Sequence, residues 1–264
     1  MNATATFIED IGRNTLDAGR ALHNLLTFAV RILLRLFARK SYNSASRTVF
    51  IHQFYFTAVQ ILPLFLFVAV IFGSLVNGMT FQVIKNLGLT DYLGRLLMGF
   101  VVTEIAPFVT VLLIALRSSS AINTEIAVMK VNHELSTLES FRIDLIDYLF
   151  VPRILNGMLS MVLLSSLFAM VVLAIGLLVS SLIFGTSVDA YMSTLLTSTS
   201  LADLLIVLFK CATFGFFITL IPIRRGLSAS QELTSIPIAV LNGMVMVFIA
   251  IMVIEVLSSI IRFI

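Results

Sequence analysis

The sequence predicts an all-α integral membrane protein: an N-terminal interfacial elbow helix, five transmembrane helices and a cytoplasmic helix between the second and third of them. Three observations carry this. Hydrophobic residues make up 59% of the 264-residue chain and charged residues only 12%, about half the share in soluble domains. The mean hydropathy is +1.08. The apolar residues gather into five runs of at least the ~20 residues that a membrane helix needs, and lysines and arginines concentrate in alternate connections.

Composition also excludes function classes. A net charge of +3, with basic residues beside apolar runs instead of on one face with interleaved aromatics, does not describe a nucleic-acid binder. The lone cysteine, Cys211, lies in an apolar run and reads as a small core residue; it can form no intrachain disulfide or metal cluster. The start, MNATATFIEDIGRN, lacks the basic-then-apolar order of a secretory signal, so no removal is expected.

The region 1–50 is the elbow. From Phe7 to Lys40, Leu22, Leu25, Leu26, Ile32, Leu33 and Leu36 alternate with Arg13, Arg20, Arg31, Arg35 and Arg39. Each arginine at a bilayer centre costs about 2.5–3.5 kcal/mol, whereas a helix in the interface lets guanidinium groups reach headgroups. An interfacial helix is therefore expected; the rival is a dip of Leu25–Phe37 into the hydrocarbon.

The first span is expected at 58–81, with Pro63, Gly73, Asn77 and Gly78 leaving room for a kink or a close helix neighbour. The second is expected at 92–116, broken near Pro107, and the others at 154–184, 203–223 and 236–261. Arg13 to Arg47, then Arg117, Lys130, Arg142 and Arg153, then Arg224 and Arg225 mark the cytoplasmic connections. The N-terminus is then cytoplasmic and the C-terminus lies on the opposite, periplasmic side.

Three charges fall inside the spans. Glu104, about a dozen residues from either end of its predicted helix, is expected near mid-depth. There it either lines a central pathway or is a hydrogen-bonded structural acid, with Pro107 freeing a carbonyl one turn back. Lys210 and Glu255 lie roughly 10 Å from one surface at ~1.5 Å per residue. Equal depth and opposite sign predict an interhelical ion pair, and a Lys210→Glu/Glu255→Lys swap is expected to rescue either single change.

The segment 117–139 reads as a cytoplasmic amphipathic helix with Ile122, Ile126, Met129 and His133 on one stripe. That stripe needs a groove, in its own bundle or in a partner. There is no phosphate loop, no H-E-x-x-H and no G-x-S-x-G, and the histidines His23, His52 and His133 are dispersed. The chain thus reads as no enzyme, with no cofactor of its own, so uphill work must draw on an ion gradient or a partner.

The block E-I-A-P-x-x-x-x-L-L-x-A-x-R-x-x-S-A-I-N-T-E-I-A-V-M-K from Glu104, followed by E-L-S-T-L-E, resembles the MlaE/YrbE family, the permease subunits of MCE-linked lipid ABC transporters. The resemblance runs from about Gln53 to Arg153 and more loosely beyond. It implies a single permease domain over 1–264, working as a homodimer in the inner membrane. The implied partners are a cytoplasmic ABC ATPase, which carries the ATP and Mg, and an MCE-domain periplasmic protein. The implied cargo is phospholipid, moved between the inner membrane and the outer envelope.

By the same resemblance Glu104, Val76, Val83, Ile84 and Leu87 surround the lipid cavity. Arg117, Glu125, Met129, Lys130 and Glu139 belong to the coupling helix that docks on the ATPase, and Lys210 and Glu255 match a lysine and an acid of the last two spans. The sequence departs from the family pattern at Thr103, Ala106, Ser118 to Ser120 and PIRRGLSASQELTSIP. The alternative is a proton-coupled secondary transporter with Glu104 as carrier, although no inverted repeat is visible. A third reading is a scaffold that transports nothing.

Overall fold

The computed structural model describes residue 19 and residues 23–36, 44–88, 93–185 and 187–263. Arg13, Arg20 and Arg39 of the expected elbow lie outside them. Every regular element among the described residues is helical, and five helices are long and apolar enough to cross a membrane: Arg47–Ile84, Leu97–Val131, Ile146–Leu182, Leu201–Gly226 and Ser235–Arg262.

Helix α1 (23–36) buries Ala29, Ile32 and Leu36 and exposes Leu26, Val30, Leu33 and Leu34. Arg35 turns inward to the connection before the third span, donating to Asp147 at 2.6 Å and lying 3.2 Å from Asp144. Helix α2 (Ser44–Phe54) leads through wide π-type turns at Tyr55–Val59 into α3 (Leu62–Leu87), so the first span begins well before the expected 58.

The second span contains α4 (Leu93–Leu96), a π-type stretch Leu97–Ile105, α5 (Ala106–Ile114), a second such stretch Ala115–Ser119 and α6 (Ser120–Val131). These join into one helical rod, without the expected break. Pro107 sits in the first turn of α5, just after the wide turns that accommodate a residue lacking an N–H. The rod ends where His133 takes a left-handed backbone (φ 59°), and α7 (Glu134–Ser140) follows.

A further π-type stretch, Ile146–Phe150, leads into α8 (Val151–Phe184). Helix α9 (Val188–Ser198) lies in what the sequence reads as a plain connection. Ser187 caps its N-terminus, accepting from the Ala190 N–H at 3.3 Å, and Tyr191 and Leu195 pack one turn apart against the bundle. The Tyr191 hydroxyl donates to the Leu173 carbonyl at 3.1 Å, and burial pushes the phenol up to about 12, so it stays a donor.

Helices α10 (Leu201–Gly226) and α11 (Ser235–Phe263) complete the bundle close to the expected limits. Half of the apolar window of α10 is buried against 11% for α11, so α10 is the central post and α11 a peripheral one. α10 crosses α8 where two glycines meet: a Cβ on Gly157 would come 2.2 Å from Thr219 Cγ2, and one on Gly215 would come 2.5 Å from the Gly157 carbonyl oxygen. Only residues without a Cβ allow this approach.

The core has two parts. The larger, including Phe65, Leu97, Phe168 and Phe214, fills the membrane-spanning bundle. The smaller joins α1, α6 and α7 to α8 and α10 through Ile32, Ile126, Leu149, Phe150 and Ile223. Of the two places expected for the groove that the 117–139 stripe fills, the structure has the chain's own bundle. Ile122 and Ile126 are buried inside the chain's own bundle, because α6 prolongs the second span and packs on α10 and α11.

Candidate functional site

Three helices bring their charges together at the end of the bundle away from α6. Lys210 Nζ donates to Glu104 Oε2 at 2.5 Å and to Glu255 Oε1 at 2.9 Å. Arg262 Nη1 donates to Glu104 Oε1 at 3.0 Å, and its Nε lies 3.9 Å from Asp203 Oδ1. The Lys210 side chain is 1% exposed, those of Glu104 and Glu255 18% and 21%. Charge on spanning helices is tolerated when it is paired and hydrogen-bonded, and here three carboxylates face two cations, leaving one negative charge in excess.

Backbone geometry prepares this site. An α-helical N–H at position 107 would serve the carbonyl of Thr103, four residues back; proline has none, and Lys210 Nζ donates to that carbonyl at 3.4 Å. Thr103 Oγ1 donates to the Gly99 carbonyl at 2.6 Å, and Arg262 Nη1 donates both to that carbonyl, at 2.5 Å, and to Thr103 Oγ1. A Cβ at Gly99 would lie 3.0 Å from Arg262 Nη2. The expected freed carbonyl is thus an acceptor for a buried cation.

Lys210 and Glu255 form the pair read from the sequence, and Glu104, read as a separate mid-depth feature, shares their lysine. Taking the second helix to end at Leu116 centres Glu104. The rod runs on to Val131, which moves its midpoint to about Leu112 and leaves Glu104 toward the end shared with Asp203 and Arg262. The swap argument changes with it: Lys210→Glu/Glu255→Lys would set a new carboxylate against Glu104, so rescue is no longer expected.

Of the other residues assigned to the cavity by resemblance, Ile84 is buried and Val76 half-buried against the core, while Val83 and Leu87 are exposed. Among the described residues the polar partners of Glu104 come from α10 and α11, none from α3. The residues assigned to coupling scatter. Glu125 and Glu139 are exposed, Arg117 and Met129 are half-buried, and Lys130 donates to the Leu227 carbonyl inside the chain. Glu125 pairs with Arg153, a buried guanidinium whose Nε and Nη1 have no hydrogen-bond partner among the described residues.

Arg262, Asp203 and Gly99 were not singled out in the sequence, although Arg262 stands two turns from Glu255 on the same helix face, a spacing that signals a shared environment. Beside the cluster, α10 and α11 border an open apolar groove of about 750 Å³ with Lys210 in its wall and Leu25 and Leu26 of α1 at its edge. No group of three or more metal-binding side chains occurs among the described residues.

The family model described as Permease MlaE matches residues 50–261. The chain is 28% identical over 225 residues to the intermembrane phospholipid transport system permease protein MlaE of Haemophilus influenzae, covering 83% of each chain. It is 34% identical over 143 residues to a probable ABC transporter permease protein of Synechocystis, 54% of each chain. It is 27% identical over 175 residues to the chloroplastic protein TRIGALACTOSYLDIACYLGLYCEROL 1 of Arabidopsis thaliana, 66% of this chain and 50% of that one. The matches thus span about half the length of the cyanobacterial and plant relatives.

Proposed function

The chain belongs to the Permease MlaE family, and on that premise we propose that it is the membrane-spanning subunit of an ABC transporter that moves phospholipid between the inner membrane and the outer envelope. It works as a homodimer. A separate cytoplasmic ATPase, carrying ATP and Mg, energises it, and an MCE-domain partner on the opposite face receives or delivers the lipid. The observation that carries this reading is the similarity to the Haemophilus phospholipid-transport permease over 83% of the chain.

The physical chemistry supports a lipid cargo. Acyl chains gain about 0.8 kcal/mol per CH2 removed from water, so they need a continuous apolar path, and this bundle presents apolar walls in which Lys210, Glu104 and Glu255 are gathered into one paired cluster. Glu104 holds its position through Lys210 and Arg262, so it can orient a polar headgroup without standing as an isolated carboxylate. That balance favours the permease over the proton-carrier alternative. Arg117, Glu125, Met129, Lys130 and Glu139 transmit ATPase movements through α6 and α7, with Glu125 and Glu139 offering surface contacts.

The test is affinity purification of the detergent-solubilised protein from its native membrane, with mass spectrometry of the proteins and lipids retained. An ATPase, an MCE-domain protein and a phospholipid are expected. Recovery of the chain without any ATPase would overturn the proposal.

A further inference from the structure

We propose that the groove between α10 and α11 is a binding site for one membrane phospholipid, with its phosphate held by Arg224 and Arg225 and an acyl chain laid along α10 to Lys210. The groove is walled by residues such as Leu205, Phe209, Phe217, Val253 and Leu257, and a chain of methylenes is the chemistry that such a wall accepts.

Its charge pattern selects the ligand. The Arg225 Nε donates to Met246 Sδ at 2.8 Å and its Nη2 contacts the same sulfur, and Met246 lines the groove. A thioether is a weak acceptor, so this guanidinium is poorly satisfied. The Arg224 guanidinium carbon lies 5.8 Å from the Phe28 ring, one turn along α1 from Leu25 at the groove border. Among the described residues neither arginine has a carboxylate at ion-pair distance, whereas Arg153, Lys210 and Arg262 each have one. Two cations without anions at one end of an apolar channel complement a phosphodiester.

The lengths agree. Along α10 the groove wall runs from Ile221 past Lys210 to Leu205, about 24 Å at ~1.5 Å per residue, which accommodates an acyl chain filling the ~15 Å of half the hydrocarbon core. From Arg225 to Lys210 the distance is about 22 Å, close to one leaflet with its headgroup. A lipid anchored at the arginine end therefore brings its chain terminus to the charge cluster. The inference rests on the proposed function for its ligand class only. Occupancy needs neither ATPase nor turnover, so its failure and that of transport are separable.

The test uses the native complex in vesicles of phosphatidylethanolamine and phosphatidylglycerol doped with phosphatidylglycerol carrying a diazirine near the end of one acyl chain. After illumination, labelled peptides are located by mass spectrometry. Labelling around Phe209 and Val253 is expected to exceed that of the outward face of α8 at Met170. It is expected to fall about tenfold in Arg224→Gln/Arg225→Gln, as for a lost charge-assisted hydrogen bond, and to persist with lysine at both positions. Should the glutamine variant fail to fold, Val253→Trp, which fills the groove, is expected to abolish the Phe209 label. Equal labelling of groove and α8, or labelling indifferent to these changes, would overturn the site. So would cross-linking of Val253→Cys to a second copy or to a partner's helix, because the groove would then be occupied by protein.

Discussion

Replacing Lys210 by methionine leaves Glu104 and Glu255 without the ammonium that separates them, and Arg262 contacts only the former. Removing one member of a buried ionic group typically costs about 3–5 kcal/mol. Lys210→Met is therefore expected to lower the thermal midpoint in detergent far more than Glu255→Gln, which leaves the Lys210–Glu104 contact intact; equal losses would mean the lysine serves one partner only. Lys210 and Glu255 were legible as a pair because each interrupts an apolar run at a similar depth. Glu104 was legible as a site residue but not as their partner, since its depth depends on where the helix ends, and the polar run from Arg117 to Lys130 reads as the end of the span although the helix continues through it to Val131. Arg153 illustrates the reverse: it reads as a loop cation, and only the fold shows that α8 begins before it and buries it against Glu125.

Among the elements, the limits of the last two spans were readable within a few residues because polar connections bracket them, whereas the third begins at Ile146, well before the expected 154, and the joined second span was not readable. Wide turns leave no clear composition signature, and a proline in an apolar run reads as a break unless the preceding turns are known. Pro107→Ala supplies an N–H that competes with Lys210 for the Thr103 carbonyl. Helix stability is expected to hold or rise while ATP-dependent lipid transfer falls, and a fall in both would assign proline a folding role instead. Glu125→Ala strands the buried Arg153, and Glu125→Ala/Arg153→Met is expected to recover most of the roughly 3–5 kcal/mol lost, measured as thermal shift. At the α8–α10 crossing, Gly215→Leu is expected to abolish a monodisperse size-exclusion peak, whereas Gly78→Ala, which meets nothing within 4 Å, leaves it unchanged.

For the whole molecule, the five spans among the described residues are expected to leave the segments before the first and after the last on opposite sides of the membrane. In a Cys211→Ser background, a membrane-impermeant thiol reagent applied to intact cells or spheroplasts is expected to label Thr197→Cys, near the end of α9. Ser230→Cys, between α10 and α11, is expected to react only after permeabilisation. The opposite pattern would invert the orientation inferred from the arginines. The rod from Leu93 to Val131 makes that sidedness mechanical. Glu104 and Glu125 are 21 residues apart on it, about 32 Å at ~1.5 Å per residue. Because the helix is continuous between them, a rigid tilt of about 5° at one displaces the other by ~3 Å over that length, comparable with the reach of a hydrogen bond. On the proposed function, a push at the α6 end and a rearrangement of the ionic cluster would be two ends of a single crank stroke.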